Sequence, residues 1–284
     1  MSRKFFILVL SFLLLGNLSV YSETRRALII GLGKQEDVRW GRIHGDNDVM
    51  YVRQMLLRMG YTDIRTLTNE QATKQAMVNA FIDLAWRCEH GDDVYVHYSG
   101  HGQLMTDLDG DEALKWNNSH ADWDEAWIPY DAYMTYGAED HGEKHFCDDE
   151  VAFFLRAIRK RIGRRGRIVV AVDACHSGDA TASTDEEVEV VRGVDMKFCI
   201  PRNPDTTPTR AASPEEWRTI SACKPYQLAT EIRDRQVGKL TFALYAMDAS
   251  NFELNNEELE QLLSGFMEKY RGRVRQNPMV RGKK

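Results

Sequence analysis

Asp92-Asp93-Val94-Tyr95-Val96 runs into His97-Tyr98-Ser99-Gly100-His101-Gly102, and Arg167-Ile168-Val169-Val170-Ala171-Val172 runs into Asp173-Ala174-Cys175-His176-Ser177-Gly178. Each is an apolar run ending in a polar, glycine-bearing segment, the pattern of a buried strand that delivers a loop. Side chains alternate faces along a strand. His97, Ser99 and His101 therefore share one side if the strand persists to its end, and Asp173 shares a side with Cys175. In an open α/β sheet the carboxyl ends of the strands are where sites assemble, so these two ends predict a histidine and a cysteine meeting across neighbouring parallel strands.

Those residue types suit nucleophilic catalysis. A thiolate is a strong nucleophile, and an imidazole beside it can move protons to and from the reacting groups. Adjacent glycines let a carbonyl approach the backbone, whose N–H groups can stabilise an oxyanion. Cys175 is thus the expected nucleophile and His101 its proton donor, with the N–H groups of Gly102 and Cys175 forming the oxyanion hole. Consecutive residues point apart, so His176 reads as packing beside the site.

The pair H-Y-S-G-H-G and D-A-C-H-S-G resembles the caspase clan of cysteine peptidases, and most of all its metacaspase and bacterial metacaspase-like members. The resemblance spans roughly Arg25 to Gly282, although its specific motifs cover little of that. It implies an α/β caspase-like three-layer sandwich, with a mostly parallel central sheet flanked by helices. It also implies a large half over about 23–178, a flexible linker over about 179–214 and a small half over about 215–284. A gingipain- or clostripain-like peptidase of the same clan, or a catalytically silent caspase-fold binding protein, would share the fold.

Residues 1–22 read as a signal peptide: basic Arg3 and Lys4, an apolar run from Phe5 to Leu15, and compact residues before Ser22. The apolar run is shorter than the roughly 20 residues a span needs, so no stable membrane anchor is expected once the signal is removed. The mature chain is expected to be secreted, periplasmic or extracellular. Its length suits one α/β domain, residues 23–284. The net charge of −6 argues against nucleic acid as a partner. Five cysteines, an odd number, leave at least one thiol outside any disulfide, assigned here to Cys175.

Other segments add expectations. A helix is predicted from near Asn47, with Asp48 in its first turn; another is predicted from about Glu70 to Cys88. Acidic residues complement a helix dipole there, but in the resembling family an aspartate at this place lines a pocket for a basic side chain. Asp48 takes that role here, with Asp46 close by. Asp48, Asp173 and the neighbouring Ser99 are the expected substrate-binding residues, selecting peptides and proteins with Arg or Lys at the cleaved bond.

Residues 103–125 are acidic, with few strand or helix signals, and Asp107 to Glu112 does not fit an EF-hand loop. Calcium-dependent family members bind the ion through aspartates that match Asp124, Asp148 and Asp149; a further family aspartate has no match. The Cys–His chemistry itself requires no cofactor, and calcium is the one ion the resemblance brings in. His141, His145 and Cys147 lack a fourth zinc ligand at suitable spacing and read as an ordinary surface loop. Residues 179–214 read as a mobile loop. Within it, Arg192-Gly193 is the expected self-cleavage site, because a basic residue there would fit the proposed pocket.

Overall fold

The computed structural model describes residues 23–110, 123–176, 189–201, 216–225 and 227–284. The expected signal peptide, most of the acidic loop, and residues 179–188 and 202–214 of the expected linker lie outside them. The central sheet is built from β1 (Arg25–Gly31), β2 (Asp63–Thr68), β3 (Asp93–Ser99), β7 (Arg167–Asp173), β8 (Arg218–Ser221) and β11 (Met279–Gly282). Its order is β11-β8-β7-β3-β1-β2, parallel throughout except for the antiparallel edge strand β11.

The alternation of strand side chains sorts the core into two layers. Leu28, Ile30, Val94, Val96, Ile168 and Val170 face helices α2 (Lys74–Arg87) and α3 (Asp148–Ile162). Ala27, Ile29, Tyr95, Ala171 and Ile220 face α1 (Gly45–Arg58), α4 (Lys239–Ala246) and α5 (Asn256–Glu268). This is the expected sandwich. Strands buried on both faces need apolar side chains at every position, which is why β1, β3 and β7 are legible as continuous runs. The register places Ser99 opposite Asp173 and Gly31 opposite Ser99, so three strand ends finish level.

Two expectations about local structure change. The predicted helix from Glu70 begins later, at Lys74, because Thr73 caps it by accepting a hydrogen bond from the N–H of Ala76 at 3.2 Å; residues 69–71 form a separate short helical turn. The acidic stretch also holds more strand than its composition suggests. β4 (Gly102–Thr106) and β5 (Trp123–Trp127) pair antiparallel, and β6 (Phe146–Cys147) joins β5, making a three-stranded sheet beside the carboxyl edge of the main one. A last small ribbon, β9 (Glu231–Ile232) with β10 (Val237–Gly238), leads into α4.

Candidate active site

The two opening motifs do converge. β3 ends at Ser99 and turns through Gly100 and His101 into β4, while β7 ends at Asp173 and continues to Cys175. Cys175 and His101 are both buried, as is His97. The Nε2 of His101 lies 2.7 Å from the carbonyl oxygen of Gly41. A carbonyl only accepts, so Nε2 carries the hydrogen and Nδ1 is the ring nitrogen with a lone pair. Nδ1 has no hydrogen-bond partner among the described residues. Trp40 packs against the imidazole at 5.2 Å between ring centres. Burial pushes the His101 pKa down to about 4, so the ring is neutral near pH 7. His97 lies between Tyr95 and the hydroxyl of Thr241 and acts as a core histidine.

The expected mobile loop is in part packed into this site, which corrects that expectation for residues 189–201. Arg192 is fully buried and Phe198 sits in a small apolar cluster with Trp40, Met105 and Ile128. The segment lies extended between two edges. Val191 bridges Thr230 antiparallel, the N–H of Arg192 donates to the Ala229 carbonyl at 2.9 Å, and the N–H of Glu231 donates to the Val190 carbonyl at 3.2 Å. On the other side Gly193 bridges Gly102, and the N–H of Phe198 donates to the Leu104 carbonyl. Loop composition hides this because the segment is held by backbone pairing and above all by one charged anchor, with Phe198 its single fully buried apolar side chain, rather than by an apolar stripe.

That anchor is the Arg192 guanidinium. Nη1 donates to Asp48 Oδ2 at 2.6 Å and to the Ser99 hydroxyl, and lies 3.6 Å from Asp173 Oδ2. Nη2 and Nε both donate to Glu231 Oε1, at 3.0 and 3.1 Å. Burial alone would lower the arginine's pKa, but Asp48, Asp173 and Glu231 together hold it above its ordinary value. Burial, with Asp48 nearby, raises the Asp173 carboxyl to about 6 against the pull of Arg192. Thr241 donates to Asp173 Oδ2 through its hydroxyl at 2.7 Å and its N–H at 2.8 Å. The expected trio of Asp48, Asp173 and Ser99 is therefore gathered around one cation. Asp46 is not part of it; it pairs with Arg42 and Asn69.

Glu231 and His44 were not found from the sequence. Glu231 comes from a two-residue strand with no pattern to mark it, and His44, just before α1, binds it through both its ring Nδ1 and its backbone N–H. Only the placement of β9 beside α1 reveals them.

The carbonyl of Arg192 completes the geometry. Its oxygen accepts from the N–H of Cys175 at 3.0 Å and from the N–H of Gly102 at 3.2 Å. The next residue, Gly193, lies against the nucleophile: a Cβ there would come within 2.7 Å of the Cys175 Sγ and would overlap its carbonyl oxygen. The Arg192–Gly193 peptide bond thus lies at the thiol, its carbonyl held by two N–H groups and its arginine side chain in an acidic pocket. Such an arrangement can polarise a carbonyl toward attack by sulfur.

Beside the site, Nδ1 of His176 lies 3.3 Å from Glu125, which supports its reading as packing. One residue before Glu125 is Asp124, whose carboxylate gathers with those of Asp148 and Asp149, with one oxygen of each within 4.8 Å of the others. Three carboxylates are a donor set for a hard divalent cation. His141, His145 and Cys147 form no such cluster. His145 nevertheless departs from the surface-loop reading: it is buried, near Asp140 and Gln103 and against Phe198. All five cysteines are thiols outside any disulfide.

The fold is an α/β sandwich with cysteine and histidine at the carboxyl edge of its parallel strands, the arrangement expected of a caspase-type domain. Residues 24–282 match the caspase-domain family, and the chain belongs to it. Metacaspase-1B of Aspergillus terreus is 32% identical over 175 residues, covering 57% of this chain and 40% of that protein. Metacaspase-1 of Schizosaccharomyces pombe is 34% identical over 170 residues, covering 55% and 34%. The chain thus spans about two fifths or less of the length of these relatives. Among solved structures, protein GSU0716 from Geobacter sulfurreducens superposes with a TM-score of 0.59 at 17% identity, covering 92% of this chain and 93% of that one. Caspase-1 from Spodoptera frugiperda superposes with a TM-score of 0.54 at 11% identity, covering 92% and 86%. Both are likenesses of fold.

Proposed function

We propose that the chain is a cysteine endopeptidase that cleaves after arginine or lysine and first cleaves itself between Arg192 and Gly193. The observation that carries this reading is the placement of that peptide bond, with its carbonyl on the N–H groups of Cys175 and Gly102 and its side chain among Asp48, Asp173 and Glu231.

In the proposed reaction Nδ1 of His101, the ring nitrogen with the lone pair, takes the Cys175 proton, and the thiolate attacks the carbonyl carbon of Arg192. A C–S bond forms as the C–O double bond becomes an oxyanion held by the two N–H groups. The C–N bond then breaks, with His101 donating a proton to the departing nitrogen of Gly193 from its Nδ1 side. Water hydrolyses the thioester, leaving a carboxylate on Arg192 and restoring the thiol. The arginine fork suits the pocket better than lysine would, because Glu231 meets Nε and Nη2, which lysine lacks.

The halves on either side of the segment share one sheet, so the cut pieces stay associated. Asp124, Asp148 and Asp149 would hold calcium, which when bound neutralises their mutual repulsion beside the Glu125–His176 contact. The expected leader makes the mature protein secreted, acting on peptides and proteins with basic residues. The test is turnover of reporter peptides ending in Arg, Lys or Asp by the full chain. Arg and then Lys should be cleaved, and Cys175→Ala should abolish both. Cleavage after Asp alone, or activity that survives Cys175→Ala, would contradict the reading.

A further inference from the structure

We propose that Lys239, with the backbone of Gly272 and Val274, forms a second specificity site that selects an acidic side chain three residues before the cleaved arginine, so that the preferred sequence is Glu-x-x-Arg. This rests on the peptidase reading above and deepens it.

Glu189 is the residue three before Arg192, on the same extended segment. Its Oε1 lies 3.3 Å from the Lys239 ammonium, and its Oε2 accepts from the N–H of Val274 at 3.1 Å. A Cβ at Gly272 would overlap the Glu189 carboxylate, so the glycine leaves room for it against the backbone.

Lys239 is costly where it stands. It is 4% exposed, and a buried ammonium requires a partner. It is also the first residue of α4, where the aligned peptide dipoles place partial positive charge and favour anions over cations. Both costs point to an acid in contact with it, and here that acid is Glu189. Yet Glu189 belongs to the segment that cleavage at Arg192 sets loose. Once it departs, Lys239, the Val274 N–H and the space above Gly272 remain as a preformed carboxylate cradle, while Asp48, Asp173 and Glu231 remain as the arginine cradle. A substrate that fills both restores the side-chain contacts of Glu189 and Arg192.

Charge-assisted contacts of a carboxylate are stronger than neutral ones, so the glutamate should matter by about tenfold or more. The full chain is assayed with reporter peptides Glu-Val-Val-Arg, Gln-Val-Val-Arg and Lys-Val-Val-Arg. The glutamate peptide should exceed the glutamine peptide by about tenfold in kcat/KM, and the lysine peptide should be worst. In Lys239→Glu the order should invert, with the lysine peptide best. Equal kcat/KM for the three peptides with the wild-type chain would overturn the subsite and leave the peptidase reading standing. No cleavage of any arginine peptide would overturn both. The wild-type comparison stands even if Lys239→Glu does not fold.

Discussion

The carbonyl oxygen of Arg192 accepts a hydrogen bond from the backbone N–H of Cys175 at 3.0 Å. The chain thereby holds one of its own peptide bonds against its own thiol. The same residue places a guanidinium among three buried carboxylates. Removing Arg192 would leave those carboxylates buried without their cation, a costly state. The acids explain why a basic side chain belongs in the pocket and why an acidic one does not.

The first prediction follows from the division of labour in that pocket. Asp48→Asn removes the carboxylate charge that Nη1 meets at 2.6 Å, and truncating one member of a buried charged pair costs about 2–5 kcal/mol. Cleavage of arginine peptides should fall by roughly thirtyfold or more in kcat/KM. Glu231→Gln should narrow the preference for arginine over lysine, since Glu231 meets Nε and Nη2. Steady-state kinetics on matched Arg and Lys peptides would check both, and an unchanged Arg-to-Lys ratio would contradict the role given to Glu231.

Close approach makes the second prediction. A Cβ at Gly238 would lie 2.6 Å from Arg192 Nη1 and overlap the Asp173 carboxylate. Gly238→Ala should therefore weaken arginine binding, raising KM for arginine peptides by about tenfold or more, while the thiol at Cys175 still reacts with a small alkylating reagent. Unchanged KM would show that the pocket floor yields easily.

Much of this site was legible in the sequence, for identifiable reasons. Cys175, His101 and Asp173 lie at the ends of apolar runs whose alternation fixes where the strands finish. Asp124, Asp148 and Asp149 came from a likeness in sequence and do gather. Glu231 left no mark, because its role depends on a two-residue strand meeting a helix that is distant in sequence. The packing of residues 189–201 was hidden for another reason. Composition registers apolar area, whereas this segment is held chiefly by backbone pairing and by the fit of one cation to three acids, with Phe198 its single fully buried apolar side chain.

Acid should destabilise the fold. Burial pushes both His97 and His101 down to about 4 from the ordinary 6.5. Between pH 6.5 and 4 the unfolded chain takes up protons at these rings that the folded chain refuses, so stability falls as pH falls through that window. Asp173, raised to about 6, works the other way and offsets part of the loss. The net cost should be on the order of a few kcal/mol. Urea midpoints of the Cys175→Ala chain at pH 7 and pH 4.5 would measure it; a higher midpoint at pH 4.5 would contradict the assignment.

The carboxylate cluster makes a separate prediction. Calorimetry with calcium should register binding to the wild-type chain, and the double variant Asp124→Asn with Asp148→Asn should weaken it by about tenfold or more, since ligand charge sets affinity at such sites. Equal binding by the two proteins would place any calcium elsewhere.

The central claim is that Arg192–Gly193 lies in the site as a substrate. Intact-mass spectrometry of wild-type and Cys175→Ala chains, purified and incubated alike, tests it most directly. The wild-type chain should yield one fragment ending at Arg192 and another beginning at Gly193, co-eluting as one species, while Cys175→Ala stays whole. A wild-type chain that stays whole under conditions where it cleaves an added arginine peptide, or a Cys175→Ala chain cut at the same bond, would contradict it.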